Sequence, residues 1–168
     1  MQLLVVRHAI AEEREQFRSS GQDDALRPLT EGGRRKMERV ALGLRRIVKT
    51  IDLIATSPFV RAAQTAAIVA HAYGDIAPIT ADELSPHNTP ASLVVWLRRH
   101  EEAEVVAVVG HEPDLGILIT WLLAGLAEPR VPLRKGGAAL LDIATHPAPG
   151  AAVVRWVLTP ALLRTLAD

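Results

Sequence analysis

The sequence lacks cysteine and has no excess of charge of either sign. Without cysteine there is no disulfide framework and no thiol chemistry. Basic and acidic residues number 19 each, so no net charge directs the chain to nucleic acid or to an anionic membrane. The longest apolar run, LGILITWLLAGLA, is shorter than the roughly 20 residues that cross a bilayer, and the apolar start is too short for a signal peptide. We therefore expect a soluble, cytoplasmic protein with no nucleic-acid or membrane partner.

Short apolar runs alternate with helical patterns along the chain. The predicted strands lie at residues 3–6, 53–56, 76–80, 104–110, 138–143 and 152–158. Thr30, Ser57 and Thr89 each precede a helical pattern and are predicted to cap it, and the helix after Thr89 runs to about residue 102. A further helix is predicted within HEPDLGILITWLLAGL, a short one ends the chain, and residues 11–26 are predicted to form a loop.

This alternation predicts one α/β domain over residues 1–168. Hydrophobic residues make up 49% of the chain, and a chain of this length buries about two thirds of the surface that its unfolded form exposes. No change in composition marks a second domain, and no internal repeat is present. Alternating strands and helices are typical of a parallel or mixed sheet with helices on both faces.

Three of the predicted strands end in arginine or histidine. Arg7 and His8 follow the first strand, Arg61 lies in the first turn of the helix after the second, and His111 follows the fourth. Ligands of open α/β sheets bind outside the carboxyl ends of the strands, so these side chains are expected at one rim. Arginine offers a fork of donors that matches phosphoryl oxygens, and histidine can donate a hydrogen bond or attack phosphorus. The pattern predicts a phosphate pocket, provided that the first strand ends at Arg7, because successive strand side chains point to opposite faces.

The motifs VVRHA, RPLTEGGRRKM, SPFVRAAQT and VVGHEPDL resemble those of the histidine phosphatase superfamily, which includes phosphoglycerate mutases and acid phosphatases. The resemblance is greatest to the small SixA-type phosphohistidine phosphatases, and it covers most of the chain. It implies His8 as the nucleophile, with Arg7, Arg61 and His111 holding the phosphoryl group. It also implies a phosphoglycerate mutase-like fold, a three-layer α/β/α arrangement around a mixed, mainly parallel sheet. Ala9 stands where the superfamily usually has glycine, and we expect an ordinary backbone conformation there.

The implied activity is that of a phosphatase with a phosphohistidine enzyme intermediate and no metal or other cofactor. Two neighbouring arginines disfavour protonation of His8, which keeps a nucleophile available near neutral pH. The arginines and His111 would neutralise charge on the phosphoryl oxygens in the transition state, so positioning and electrostatics are expected to dominate catalysis. No HExxH or comparable metal-ligand spacing is present.

Two glutamates are candidates for the general acid. Glu83 follows the third predicted strand and resembles in placement the proton donor of the mutase-like branch, and it is slightly preferred. Glu112 lies beside His111, where acid phosphatases of the superfamily carry an acidic residue, and either glutamate could be an ordinary exposed carboxylate. Ser57 is interpreted as a helix cap, although its hydroxyl could also face the phosphate. His87 either lines the rim or belongs to a plain turn.

The sequence is compatible with three functions. The first is dephosphorylation of phosphohistidine on a partner protein. The second is hydrolysis of small phosphomonoesters at the same site. The third is binding of phosphate without catalysis, and the presence of all four pocket residues argues against it.

Overall fold

One sheet lies at the centre of the computed structural model, which describes residues 1–143 and 146–168. In that part of the chain the sheet has six strands: β1 (Gln2–Arg7), β2 (Leu53–Thr56), β3 (Ile79–Thr80), β4 (Val105–Gly110), β5 (Ala138–Ile143) and β6 (Ala152–Leu158). Their order is β3-β2-β4-β1-β5-β6, with β1, β2, β3 and β4 parallel and β5 antiparallel to both of its neighbours. The sheet is therefore mixed and mainly parallel, which confirms the sequence-based prediction.

Helices cover both faces of this sheet. The helices of the described residues are α1 (Arg14–Arg18), which buries no residue, α2 (Glu31–Ile47), α3 (Val60–Ala72), α4 (Pro90–Arg98), α5 (Asp114–Ala124) and α6 (Pro160–Thr165). Apolar residues of α2, α3 and α6 form a core against one face, and those of α4 and α5 form a second core against the other. All six residues of β4 are buried, as expected for a central strand covered on both faces. The three-layer α/β/α architecture is thus confirmed.

Two of the three predicted helix caps are present. The Thr30 side chain accepts a hydrogen bond from Gly33 N at 2.9 Å, and that of Thr89 accepts one from Ser92 N at 3.3 Å. The cap prediction for Ser57 is wrong, because α3 begins three residues later. The Ser57 hydroxyl lies instead against a histidine of another strand end, as described below.

Other element boundaries also differ from the prediction. The loop predicted at residues 11–26 contains α1 and a 3-10 turn at Asp24–Leu26. The third strand is limited to Ile79–Thr80, and a second 3-10 turn follows at Asp82–Leu84. Helix α4 ends at Arg98, short of the predicted position. None of the helices in the described ranges combines the length and the apolar character that a membrane span requires.

Candidate active site

Strands β1 and β4 deliver three side chains to the same edge of the sheet. Arg7, the last residue of β1, lies beside Gly110, the last residue of β4. The His8 N–H donates to Gly110 O at 3.0 Å, so His8 lies next to the end of β4. His111 directly follows Gly110 in the chain. Since β1 ends at Arg7, the condition for Arg7 and His8 to converge is met.

The end of strand β2 and the start of helix α3 place Ser57 and Arg61 at the same edge of the sheet. The Ser57 N–H donates to Val109 O at 3.0 Å, which places Ser57 directly after β2 and beside β4. The chain bends at Pro58 and Phe59, and α3 then begins at Val60. Arg61 therefore lies in the first turn of α3 and is 2% exposed. A buried guanidinium needs compensating partners, and the site provides them.

Arg7, His8, Arg61 and His111 all line one cleft of about 330 Å³. The structure thus brings together the four side chains that the sequence places at the strand ends. Arg14, Arg27 and Lys135 add further positive charge to the lining, and four carboxylates also face it. Although the chain as a whole has no net charge, basic groups are concentrated at this edge of the sheet.

The geometry of His8 defines which ring nitrogen is available for attack. Its Nδ1 lies 2.7 Å from Ala9 O. A carbonyl oxygen only accepts, so Nδ1 carries the hydrogen and the lone pair is on Nε2. Burial, together with the charges of Arg61 and Arg7, lowers the pKa of His8 to about 4. The imidazole is therefore neutral at pH 7, and burial contributes more to this than the arginines that the sequence indicated.

A short chain of hydrogen bonds connects the loop after β1 to α3. The Ala9 N–H donates to Thr65 Oγ1 at 3.0 Å, and that hydroxyl donates to Arg61 O at 2.7 Å. In the described residues, the non-glycine positions with positive φ are Asp75 and His87, so Ala9 has the ordinary backbone expected of it. This connection fixes the segment that carries His8 relative to the helix that carries Arg61.

His111 contacts the hydroxyl that was predicted to cap α3. Its Nε2 lies 2.9 Å from Ser57 Oγ, and its ring centroid lies 5.1 Å from that of His8. Burial, together with the nearby His8 and Arg61, lowers the pKa of His111 to about 3. In the free site His111 is therefore a neutral hydrogen-bonding group and not the cation that the sequence suggested.

Arg7 and Glu112 hold the same residue of the segment before β5. Arg7 Nη1 donates to Leu133 O at 2.6 Å, and the Leu133 N–H donates to Glu112 Oε1 at 2.8 Å. Glu112 lines the cleft, and burial raises the pKa of its carboxyl. One carboxyl oxygen of Glu112 is thus engaged with the backbone, while the group as a whole borders the site.

Glu83, the preferred acid candidate, lies apart from this lining. It belongs to the 3-10 turn at Asp82–Leu84 and borders a much smaller cavity of about 20 Å³ beside His111. His87 does line the cleft, and its backbone N–H donates to Asp114 Oδ2 at 3.0 Å. The role of Glu83 stays a prediction, and the geometry brings Glu112 closer to the other site residues.

Sequence analysis missed two residues of the site, Asp24 and Arg27. Asp24 Oδ1 accepts a hydrogen bond from Arg27 Nε at 2.8 Å, and Asp24 Oδ2 lies 3.1 Å from Arg61 Nη2. Arg27 is buried, lines the cleft and donates to Glu12 O at 2.7 Å. Arg27 is the first residue of the motif RPLTEGGRRKM, and the spacing Asp-x-x-Arg in DDALRPLT is the signal that could have indicated both residues.

Three buried side-chain nitrogens at this edge have no hydrogen-bond partner within the described protein. They are Arg7 Nε, Arg61 Nε and His111 Nδ1. An unsatisfied buried polar group costs about 1–3 kcal/mol, so each one requires an explanation. All three belong to residues that line the same cleft as His8. A tetrahedral oxyanion bound there would supply acceptors for the two guanidinium N–H groups and for the ring nitrogen.

Comparison with known proteins identifies the family. The model of the histidine phosphatase superfamily (branch 1) matches residues 3–86, half of the chain. An uncharacterized protein of Picosynechococcus sp. is 34% identical over 139 residues, which cover 82% of each chain. The chain belongs to the histidine phosphatase superfamily, as its motifs suggested, and this membership supports phosphatase activity.

Two solved structures are similar in fold to this chain. The protein histidine phosphatase SixA complexed with tungstate superposes with a TM-score of 0.79 at 24% identity, covering 97% of this chain and 99% of that one. A phosphoserine phosphatase mutant from Entamoeba histolytica, in complex with phosphoserine, has a TM-score of 0.69 at 17% identity, covering 95% and 97%. At these identities the likeness establishes the phosphoglycerate mutase-like fold and leaves the substrate open.

Proposed function

We propose that this chain is a cytoplasmic, metal-independent phosphatase that removes the phosphoryl group from phosphohistidine on a partner protein. The observation that carries the proposal is the cleft itself, in which a buried neutral histidine is surrounded by unpartnered nitrogens of two arginines and a second histidine. These groups suit a nucleophile and the oxygens of the phosphoryl group that it attacks.

In the first step, Nε2 of His8 attacks phosphorus. The bond between phosphorus and the substrate nitrogen breaks, and the electron pair stays with the substrate's imidazole. When the other nitrogen of that imidazole is already protonated, the ring leaves as a neutral molecule. Arg7 Nε, Arg61 Nε and His111 Nδ1 are the groups that bind the phosphoryl oxygens, so the site needs little reorganisation during transfer.

In the second step, water attacks the phosphorus of phosphorylated His8. The bond from phosphorus to Nε2 breaks, Nε2 recovers its lone pair, and the protons of the water end on the released phosphate. His8 Nδ1 keeps its hydrogen throughout, because it donates to Ala9 O. While Nε2 carries the phosphoryl group, the ring is cationic, and this hydrogen bond stabilises it.

The position of the acidic groups favours a phosphohistidine substrate. An alkoxide leaving group needs a proton from a well-placed acid, whereas an imidazole can obtain its proton from solvent. Glu83 does not line the cleft, and one oxygen of Glu112 already accepts from Leu133 N. The protein histidine phosphatase SixA has the same fold, which is consistent with this choice.

The second candidate function is hydrolysis of small phosphomonoesters. Glu112 favours it, because burial raises the pKa of this carboxyl at the border of the cleft and so makes it a better proton donor. The fold shared with a phosphoserine phosphatase is compatible with it. The two functions are distinguished by comparing kcat/KM for a phosphorylated histidine-containing protein with that for a panel of sugar phosphates and nucleotides. The assay contains EDTA, because no proposed step uses a metal.

Replacing the candidate acids is expected to affect the two substrate classes differently. Glu83→Gln and Glu112→Gln should each lower kcat for an alkyl phosphate more than kcat for protein phosphohistidine, since only the alkoxide requires an acid in the site. Both constants are measured for each variant. A higher kcat/KM on an alkyl phosphate, together with equal losses on both substrates, would replace the phosphohistidine proposal with the phosphomonoesterase.

The pH dependence of the reaction is expected to reflect the burial of His8. Protonation of Nε2 removes the attacking lone pair, and the pKa of His8 is lowered to about 4. The acid side of the kcat/KM profile for p-nitrophenyl phosphate should therefore fall near pH 4, once the ionisation of the ester has been measured by ³¹P NMR and divided out. An acid limb near pH 6.5 would contradict this placement of His8.

Protein stability should follow His8 and also His111, because the pKa values of both histidines are lowered in the folded protein. An unfolded histidine binds a proton near pH 6.5, whereas folded His8 does so only near pH 4. Between these values the unfolded chain binds more protons, so the free energy of unfolding decreases as pH falls from about 6.5 to 4. Urea unfolding at several pH values separates this loss from the loss of the nucleophile.

A further inference from the structure

Asp24 is the centre of a group of arginines beside the nucleophile. In the described part of the chain its carboxylate lies 2.8 Å from Arg27 Nε, 3.1 Å from Arg61 Nη2 and 3.7 Å from Arg14 Nε. The backbone oxygen of Asp24 also accepts from Arg61 Nη1 at 2.8 Å. Asp24 thus contacts Arg61 twice, through its side chain and through its main chain.

These two contacts occupy one edge of the Arg61 guanidinium. Nη1 donates to the backbone oxygen of Asp24 and Nη2 contacts its carboxylate, so both terminal nitrogens of the guanidinium are bound to Asp24. Nε lies on the side edge of the guanidinium, and this buried nitrogen has no hydrogen-bond partner in the described protein. The guanidinium carbon lies 4.9 Å from the centre of the Phe59 ring, which covers one face of the group. The contacts with Asp24 and with the Phe59 ring therefore fix the orientation of Arg61.

Asp24 is itself held by local structure. The Asp23 side chain accepts from Ala25 N at 2.8 Å and so caps the 3-10 turn that contains Asp24. Burial alone would raise the pKa of Asp24, but the hydrogen bond from Arg27 and the charge of Arg61 lower it below its ordinary value. Asp24 is consequently ionised at neutral pH and attracts both arginines.

We propose that Asp24 is a positioning residue that turns the Nε edge of Arg61 toward the transferring phosphoryl group. Asp24 does not touch the substrate and acts through Arg61. The inference rests on the proposed function, since it assigns the free edge of Arg61 to a phosphoryl oxygen. An arginine held in advance loses little side-chain entropy and needs no reorientation in the transition state.

A salt bridge that only stabilises the segment at residues 11–26 would have different consequences. It would leave kcat unchanged wherever the protein is folded, and its loss would lower the melting temperature. A positioning role instead lowers kcat in the folded protein, with little change in KM, because the contact matters most where charge develops.

The test compares Asp24→Asn with Asp23→Asn. Asp24→Asn keeps the backbone oxygen and the size of the side chain but removes the charge, while Asp23→Asn alters the cap of the same turn without touching an arginine. Asp24→Asn is expected to lower kcat on protein phosphohistidine at least about tenfold, with KM within about threefold. Asp23→Asn is expected to retain the wild-type kcat.

A double-mutant cycle with Arg61 distinguishes positioning from loop stability. If Asp24 acts through Arg61, adding Asp24→Asn to Arg61→Ala should cause no further loss of kcat in protein that is folded by circular dichroism. Additive losses, or equal losses in Asp23→Asn and Asp24→Asn, would overturn the positioning role while leaving the proposed function intact. Absence of turnover by the wild type on every phosphoryl compound would overturn both.

Discussion

His8→Asn is expected to abolish turnover of protein phosphohistidine and of p-nitrophenyl phosphate. The asparagine amide can still donate to Ala9 O, as Nδ1 does in the native protein, but it places no nucleophilic nitrogen at the position of Nε2. Without that nitrogen no phosphoenzyme forms. Rapid quenching of the wild type with ³²P-labelled substrate should trap a phosphoenzyme that is acid-labile and base-stable, and His8→Asn should show no label.

The matched control is His71→Asn. His71 is exposed and pairs with Asp75 at the end of α3, so its replacement should leave turnover and labelling unchanged. Circular dichroism verifies that His8→Asn is folded, because the native side chain is only 6% exposed. Label on serine, or an active His8→Asn protein, would show that another residue attacks phosphorus. An unlabelled wild type that binds phosphate without turnover would instead indicate the non-catalytic binding module.

The pattern of apolar runs predicted where the strands end, and this placed four site residues together. VVAVVG is a continuous β-branched run, which is typical of a strand buried on both faces, and its end at Gly110 puts His111 at the rim. Arg7 lies beside Gly110 in the sheet, so the motif VVRH reaches the same edge. Local pattern was sufficient here because parallel strands present their carboxyl ends together.

Ser57 shows where local pattern was insufficient. The sequence SPFVR has a capping residue followed by proline, and this matches a helix start at Ser57. In the structure the hydroxyl contacts His111 Nε2, 54 residues away in sequence, and α3 begins only at Val60. A hydroxyl can cap a helix or bond a distant ring, and only tertiary structure decides between them.

Asp24 and Arg27 were missed for a related reason. Asp24 lies in the segment from residue 11 to residue 26, which has no apolar periodicity, and Arg27 directly follows that segment, so periodicity does not indicate that either side chain reaches the site. Asp24 contacts Arg61 across 37 residues of sequence, and Arg27 becomes buried through that contact group. The neutral state of His8 was predicted from the neighbouring arginines, but burial, which is the first cause of the lowered pKa of both His8 and His111, could not be deduced from the sequence.

Arg61→Ala is expected to lower kcat at least about a hundredfold on both substrate classes, the loss typical of removing one donor that stabilises developing charge. Arg61 is 2% exposed, and its unpartnered Nε is assigned to a phosphoryl oxygen. Arg61→Lys keeps the positive charge but has one nitrogen, which cannot contact Asp24 and the phosphoryl group as the two edges of a guanidinium do. We therefore expect Arg61→Lys to lose at least about tenfold in kcat.

The control for this prediction is Arg45→Ala. Arg45 also donates to a backbone carbonyl, that of Ala72, but it is exposed and lies outside the cleft, so kcat should be unchanged. Single-turnover kinetics under EDTA measure phosphorylation of His8 directly, and the melting temperature shows whether the Arg61 variants are folded. If folded Arg61→Ala phosphorylates His8 at the wild-type rate, the guanidinium does not stabilise the transition state, and the assignment of its Nε to a phosphoryl oxygen is wrong. If Arg61→Lys retains full kcat, charge alone is sufficient, and the orientation imposed by Asp24 has no catalytic role.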